Sequence, residues 1–251
     1  MLIRLYLNRY LDFVNWKIDK GKTLDYIKKI REKYNTSYYR KHVYQIRKFL
    51  KHYGVEWSEQ LQPPNEPEYT AKRVPVEDVK NTLTHFQGHL YYPQIKALVL
   101  LGSTSGMRAK EMFQLQIKDI DLENKTVHIN HDPKNHQTTK TKHSRVTFFT
   151  DETRDALKDY LVFYKKNGQL KYLFNQSHLS KIFNRNPVRV KDCRKAFSQI
   201  WDKQGGQTTI KQLLMGHSTK SSVDLQHYNG QSTEDLKQIY EKVMGDYRII
   251  L

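Results

Sequence analysis

The residues best able to do chemistry lie towards the C-terminal end. Between Pro187 and Tyr228 the chain carries a Lys-x-x-Arg pair, Lys191 and Arg194, on an amphipathic segment. Leu214-Met-Gly-His217 follows, and then Tyr228 just before Asn229-Gly230. Lys, Arg and His bring positive charge and transferable protons, and tyrosine brings an oxygen nucleophile. Such a set suits an anionic phosphodiester: guanidinium and ammonium groups bind its oxygens while a phenolate attacks the phosphorus. The remainder of the chain must then act as a scaffold that delivers the phosphodiester to these groups.

Bulk properties agree with that reading. The chain has 251 residues, room for one large or two modest domains with cores of their own. Its 37% hydrophobic and 27% charged content is that of a soluble globular protein, and no apolar run is long enough to span a membrane. The opening MLIRLYLNRYLDF carries a charge every few residues, so it is expected to be a helix and not a signal peptide. A single cysteine, Cys193, excludes an internal disulfide framework and fits a reducing, intracellular compartment. No closely spaced His/carboxylate or Cys pattern suggests a metal, and no cofactor is expected. The net charge of +17 implies a polyanionic partner, most simply nucleic acid.

The elements that must position the reactive set can be read from periodicity. Residues 1–57 are expected to be a helical DNA-binding domain. There Tyr39, Val43, Ile46, Leu50 and Tyr53 recur at spacings of 4, 3, 4 and 3, one face of a helix. Arg40, Lys41, Arg47, Lys48 and Lys51 fall on the other side with no acid between Asn35 and Lys51, so that side is expected to face DNA. Residues 58–75 hold four of the seven prolines and are expected to be a linker that lets two domains close on a duplex.

Residues 76–251 form the expected catalytic domain, mostly helical with a small antiparallel sheet inserted early. A helix over Val76–Phe86 precedes a buried apolar helix at Ile95–Leu101, broken by Gly102-Ser-Thr-Ser-Gly106, and another helix begins at Met107–Leu115. Thr126–His131 and Ser144–Phe149 read as strands flanking a long polar hairpin tip, Pro133–His143. Thr150 should cap a helix that turns Leu157, Tyr160, Leu161 and Tyr164 inward, and the pattern is helical again from Val190. Ser232 with Asp235 makes a capping box for a tail helix over Thr233–Met244.

Four motifs in order resemble those of the tyrosine recombinase (phage integrase) family over roughly Val76–Tyr228. They are Thr104-Ser-Gly-Met-Arg108-Ala-Lys-Glu111, Lys140-Thr-Lys-His-Ser-Arg145 before an apolar strand, Lys191-Asp-Cys-Arg194, and Leu214-Met-Gly-His217 with Tyr228 beyond. Lys191 stands where most members have histidine, a variant similar to the integrases of archaeal fuselloviruses. Tyr228 follows His217 by 11 residues, slightly more than the family's usual interval.

The resemblance implies an α+β, two-domain DNA clamp that cuts and rejoins duplex DNA through a 3′-phosphotyrosine. In that scheme Tyr228 is the nucleophile, Arg108 and Arg194 clamp the phosphate, and Lys191 and His217 add donors. Lys140 is the general acid, with Lys142 as runner-up and Lys134 in the same tip, and Glu111 supports Arg108 or pairs with Lys191. Religation from the phosphotyrosine needs neither metal nor ATP, and no small molecule is a substrate. The family also implies a homo-tetramer on DNA, with the tail stripe Leu236, Ile239, Tyr240 and Val243 packed on a neighbouring copy; docking on its own domain is the alternative. Tyr240 and Tyr247 are the other candidate nucleophiles, and Cys193 is expected to be a buried small residue. Two rival functions share the features: a type IB topoisomerase, and a DNA-binding protein that keeps the fold without the reaction.

Overall fold

The computed structural model describes residues 2–66, 68, 70–166, 171–218 and 230–250. Two compact units divide between Ala71 and Lys72.

The first unit packs α1 (Leu2–Phe13), α2 (Lys20–Lys33) and α3 (Thr36–His52) against a short 3-10 turn at Glu56–Gln60. Asp19 and Asn35 start α2 and α3 by accepting from the Lys22 and Tyr38 amides at 2.8 and 3.0 Å. Val43, Ile46 and Leu50 of the expected stripe are buried with Tyr10, Val14, Tyr26 and Ile30. Tyr53 is not: it is 65% exposed, because α3 ends at His52 and the chain turns away through Gly54. Near the other end of the helix His42 also points inward, fully buried among the rings of Tyr6, Tyr26 and Tyr38. Burial, with Arg9 nearby, holds its imidazole down at about 4, so it is a neutral core side chain.

The proline-rich stretch contains the division between units, yet its ends are packed. Ser58 and Leu61 are buried in the first unit, and Val74 is buried in the second, where its amide donates to Gln199 Oε1 at 2.9 Å.

The second unit is mainly helical with a small antiparallel sheet. It is built round α5 (Tyr92–Ser105), buried along most of its length and packed against α7 (Asp151–Lys166) and α9 (Val190–Lys203). The break expected over Gly102–Gly106 comes only at the end of that run. The helix runs to Ser105, with the Thr104 and Ser105 hydroxyls turned back to the Leu100 and Leu101 carbonyls at 2.8 and 2.6 Å. It stops at Gly106, whose φ of 67° and close approach to the Phe197 ring leave no room for a Cβ. The helix expected from Met107 is correspondingly short: α6 covers Ala109–Met112.

The sheet has the order β1 (Ile120–Asp121), β2 (Thr126–Ile129), β3 (Arg145–Phe148), all antiparallel, with Ile129 opposite Arg145. The connection between β2 and β3 is more ordered than a bare polar tip. Asp132 caps a 3-10 turn at Pro133–Asn135, and buried Gln137 donates to Asp119 at 2.6 Å. The helix α4 (Val76–His85) precedes α5, while α8 (Gln176–Ile182) lies in a stretch without a sequence-based assignment. The last helices are α10 (Thr208–Met215) and α11 (Thr233–Met244), the latter started by the Ser232/Asp235 capping box.

Within this chain the tail helix lies on its own unit. Tyr240 is buried against Phe148 and Trp201, its hydroxyl donates to the Thr104 carbonyl at 2.8 Å, and the Ile249 and Ile250 amides donate to Glu152. An apolar stripe needs only some core to cover it, and this unit supplies one.

Candidate active site

The site grows from the C-terminal end of α10. Gly216 takes the left-handed conformation, φ 66°, and the amides of Gly216 and His217 bond back to the Leu213 and Gln212 carbonyls. The carbonyls of Leu214, Met215 and Gly216 project beyond these bonds at the negative end of the helix dipole. Each accepts from a different arginine: Leu214 from Arg145 Nε at 2.9 Å, Met215 from Arg194 Nη1 at 2.7 Å, Gly216 from Arg108 Nη2 at 2.8 Å. Three segments far apart in sequence are thereby gathered on one helix end, beside His217.

Arg108 is placed by the glycine stop before it. It is the N-cap of α6; its amide donates to Glu111 Oε2 and its Nη1 to Glu111 Oε1, both at 2.8 Å. Arg194 reaches from α9 and also donates Nη1 to the Gly106 carbonyl at 2.7 Å. Glu111 is buried, and its partners are Arg108 and Arg145; Lys191 is not one of them. Arg145, the first residue of β3, was not assigned a role from sequence. Its signal is a cation opening an otherwise uncharged strand, a position that a sheet edge does not demand.

The electrostatics are one-sided. Burial works to raise the Glu111 carboxyl, but hydrogen bonds and charge from Arg145 and Arg108 carry it below its ordinary value. Burial and then the neighbouring Arg108 pull Arg194 down to about 9, still a cation at neutral pH. His217 is lowered by burial, then by Arg194 and Arg108, all of which disfavour its cation. One carboxylate thus faces three guanidiniums, and the excess positive charge borders an open cavity of about 750 Å³ lined by Arg108, Lys140, Lys142, Arg145, Gly216 and His217.

The remaining candidates separate by place. Lys140 and Lys142 are both exposed on the cavity wall, whereas Lys134 sits on the 3-10 turn away from it. Lys191 is exposed one turn before Arg194 on α9 and is not part of the lining. Tyr228 lies outside the described residues. Tyr240 is fully buried with its phenol pushed up by desolvation, and Tyr247 is pushed up by burial and by Glu152. Burial drives the Cys193 thiol up to about 12, as a core residue requires. In the first unit, Arg47 and Lys51 pair with Glu59 at 2.5 and 2.6 Å, and Arg40 donates to the Pro64 carbonyl at 3.0 Å; Lys41 and Lys48 are exposed. No group of His, Cys, Asp and Glu among the described residues could hold a metal, and no helix among them is long and apolar enough to cross a membrane.

Residues 72–235, which contain all of this site, match the phage integrase family. The chain belongs to that family. It is 27% identical to the tyrosine recombinase XerA of Saccharolobus solfataricus over 245 residues, 95% of this chain and 78% of that protein. Among solved structures, the Tn1549 transposon integrase bound to circular intermediate DNA is similar with a TM-score of 0.58 and 16% identity, over 88% of this chain and 84% of that one. XerH recombinase bound to its difH substrate, in a pre-cleavage complex, gives 0.56 and 18%, over 95% and 74%. At these identities the likeness is one of fold: a phage integrase catalytic fold, mostly helical, with its small antiparallel sheet beside the arginine cluster.

Proposed function

We propose that this phage integrase family protein is a site-specific recombinase that cuts and rejoins duplex DNA through a 3′-phosphotyrosine on Tyr228. The observation that carries the proposal is the convergence of Arg108, Arg145 and Arg194 on one helix end with a single carboxylate between them. That excess charge is what a phosphodiester going to a pentacoordinate, more negative transition state would neutralise.

In the reaction, Arg108 and Arg194 use their remaining N–H groups on the non-bridging oxygens. His217 and Lys191 add donors. The Tyr228 oxygen forms a bond to phosphorus as the bond to the 5′ oxygen breaks, and Lys140, or Lys142, gives that oxygen its proton. The 5′ hydroxyl of another strand reverses the step, so the bond energy kept in the phosphotyrosine suffices for religation. Exchange between two duplexes needs four such cuts, one per strand, which supports a homo-tetramer assembled on DNA inside the cell. Lys191 at the usual histidine place supports kinship with the fusellovirus integrases.

The test is covalent trapping on nicked suicide duplexes that span candidate attachment sequences. An adduct mapped by peptide mass spectrometry to Tyr228, and absent in Tyr228→Phe, is expected. Relaxed circles without recombinant junctions would make the protein a nicking-closing enzyme. Tight binding to DNA with no adduct would leave a silent DNA-binding protein.

A further inference from the structure

We infer that Arg145 is a positioning residue of this reaction, holding the hairpin lysines and the His217 turn in register with Arg108. The inference rests on the recombinase reading above. All three guanidinium nitrogens of Arg145 are engaged by the protein: Nη1 and Nη2 on Glu111 at 3.1 and 2.7 Å, Nε on the Leu214 carbonyl at 2.9 Å. Arg194, by contrast, is held through Nη1 alone among the described residues. Arg145 is thus committed to its neighbours, with a side chain only 11% exposed.

Those neighbours belong to the reacting elements. Glu111 fixes Arg108, and Leu214 lies three residues before His217. Arg145 itself opens β3, three residues after Lys142 and five after Lys140. One planar side chain therefore joins the first arginine, the histidine turn and the lysine-bearing hairpin. The Gly216 backbone lies against the same guanidinium, since a Cβ there would stand 2.7 Å from Arg145 Nε. A fork of fixed donors can span a carboxylate and a carbonyl together; a lysine ammonium is a single point and cannot reproduce both.

The test uses the full chain with Arg145→Gln and Arg145→Lys. In the free protein, amide exchange reads the turn directly through Gly216 and His217, bonded to Leu213 and Gln212, and the hairpin through Lys142, bonded to Thr139. In Arg145→Gln both sites should exchange about tenfold faster while α5 and α9 keep their protection, with Arg145→Lys between. Cleavage is then compared on ordinary DNA and on DNA whose scissile 5′ oxygen is replaced by sulfur, a leaving group that needs no proton.

Arg145→Gln should slow cleavage of ordinary DNA about a hundredfold, with DNA affinity within about threefold of the parent. Sulfur should bring the variant back to within about tenfold of the parent, because a misplaced general acid is then bypassed. Faster exchange confined to β3, an unchanged cleavage rate, or an equal deficit on both substrates would each overturn the inference. If the parent protein cleaves neither DNA, the recombinase reading fails, while the exchange result still decides whether Arg145 holds the turn and the hairpin.

Discussion

Two glutamates, one in each unit, hold two cations apiece in opposite surroundings. Glu111 bridges Arg108 and Arg145 with its side chain only 2% exposed; Glu59 bridges Arg47 and Lys51 with 52% exposed. Both carboxyls are held below their ordinary value. For Glu59 the hydrogen bonds from Lys51 and Arg47 lower it to about 2, with almost no opposing desolvation. For Glu111 burial opposes the arginines and is outweighed by them. Water can replace Glu59 as a partner for its cations, whereas nothing replaces Glu111 in the interior. The buried carboxylate therefore organises the arginine cluster. The exposed one neutralises a basic face, a role that in the proposed reading a DNA phosphate would take over.

The contrast is broken or sharpened by substitutions, the largest effect first. Glu111→Gln leaves two part-buried guanidiniums without a counter-charge, and should cost about 3 to 5 kcal/mol of stability. Urea unfolding followed by tryptophan fluorescence measures it, with Trp16 and Trp57 replaced by Phe so that Trp201 alone reports. A loss below about 1 kcal/mol would mean that the two glutamates are equivalent after all. Arg194→Ala should next cost about 3 to 4 kcal/mol of transition-state stabilisation, read as roughly a 100- to 1,000-fold slower single-turnover cleavage, with the fold retained.

His217 probes the same positive field by pH. Its lowered value means that, as pH falls through the ordinary histidine range near 6.5, the unfolded chain takes up a proton that the folded one refuses. Stability should fall with pH across that window. A bound DNA phosphate should reverse the field, so an NMR titration should move the His217 midpoint up in the complex; a midpoint unmoved by DNA would place the phosphate elsewhere.

Glu59→Gln is the exposed counterpart. It should leave the unfolding midpoint unchanged and tighten DNA binding, steepening the log–log salt dependence by about 1 to 2 as Arg47 and Lys51 are released to phosphates. Smallest of all, Lys48→Ala should weaken binding uniformly across sequences and flatten that slope by about 1. Anisotropy titrations at several salt concentrations measure both, and a slope unmoved by either change would turn this face away from DNA.

Much of the fold was legible because local signals and packing agree. The Ser232/Asp235 box starts α11 where the sequence places it, and Val43, Ile46 and Leu50 are inside as their spacing demands. Arg108, Arg194 and His217 were singled out by motif and stand together. Legibility failed where a side chain's meaning depends on what folds onto it. The Gly102–Gly106 run reads as a break from its first residue, yet the helix continues to Ser105 and stops only at Gly106. Tyr53 reads as the next member of a stripe, but the helix stops one residue earlier. His42, to which the sequence gives no assignment, is core, since a ring of tyrosines makes a place for a neutral imidazole.

By itself, then, the sequence determined the charge inventory, the helical periodicities, the caps and the order of the four motifs. The periodicities and caps are properties of residues within a few turns of one another, and the charge inventory and motif order need no folding at all. Which cation meets which carboxylate was decided only by the tertiary structure. Glu59 reaches back 8 and 12 residues to Lys51 and Arg47, and Arg145 crosses 34 to Glu111. The three arginines on the end of α10 come from 108, 69 and 21 residues away. The physical reason is one of range: backbone periodicity ends with its element, while a guanidinium pairs with whatever carbonyl or carboxylate the packing brings within about 3 Å.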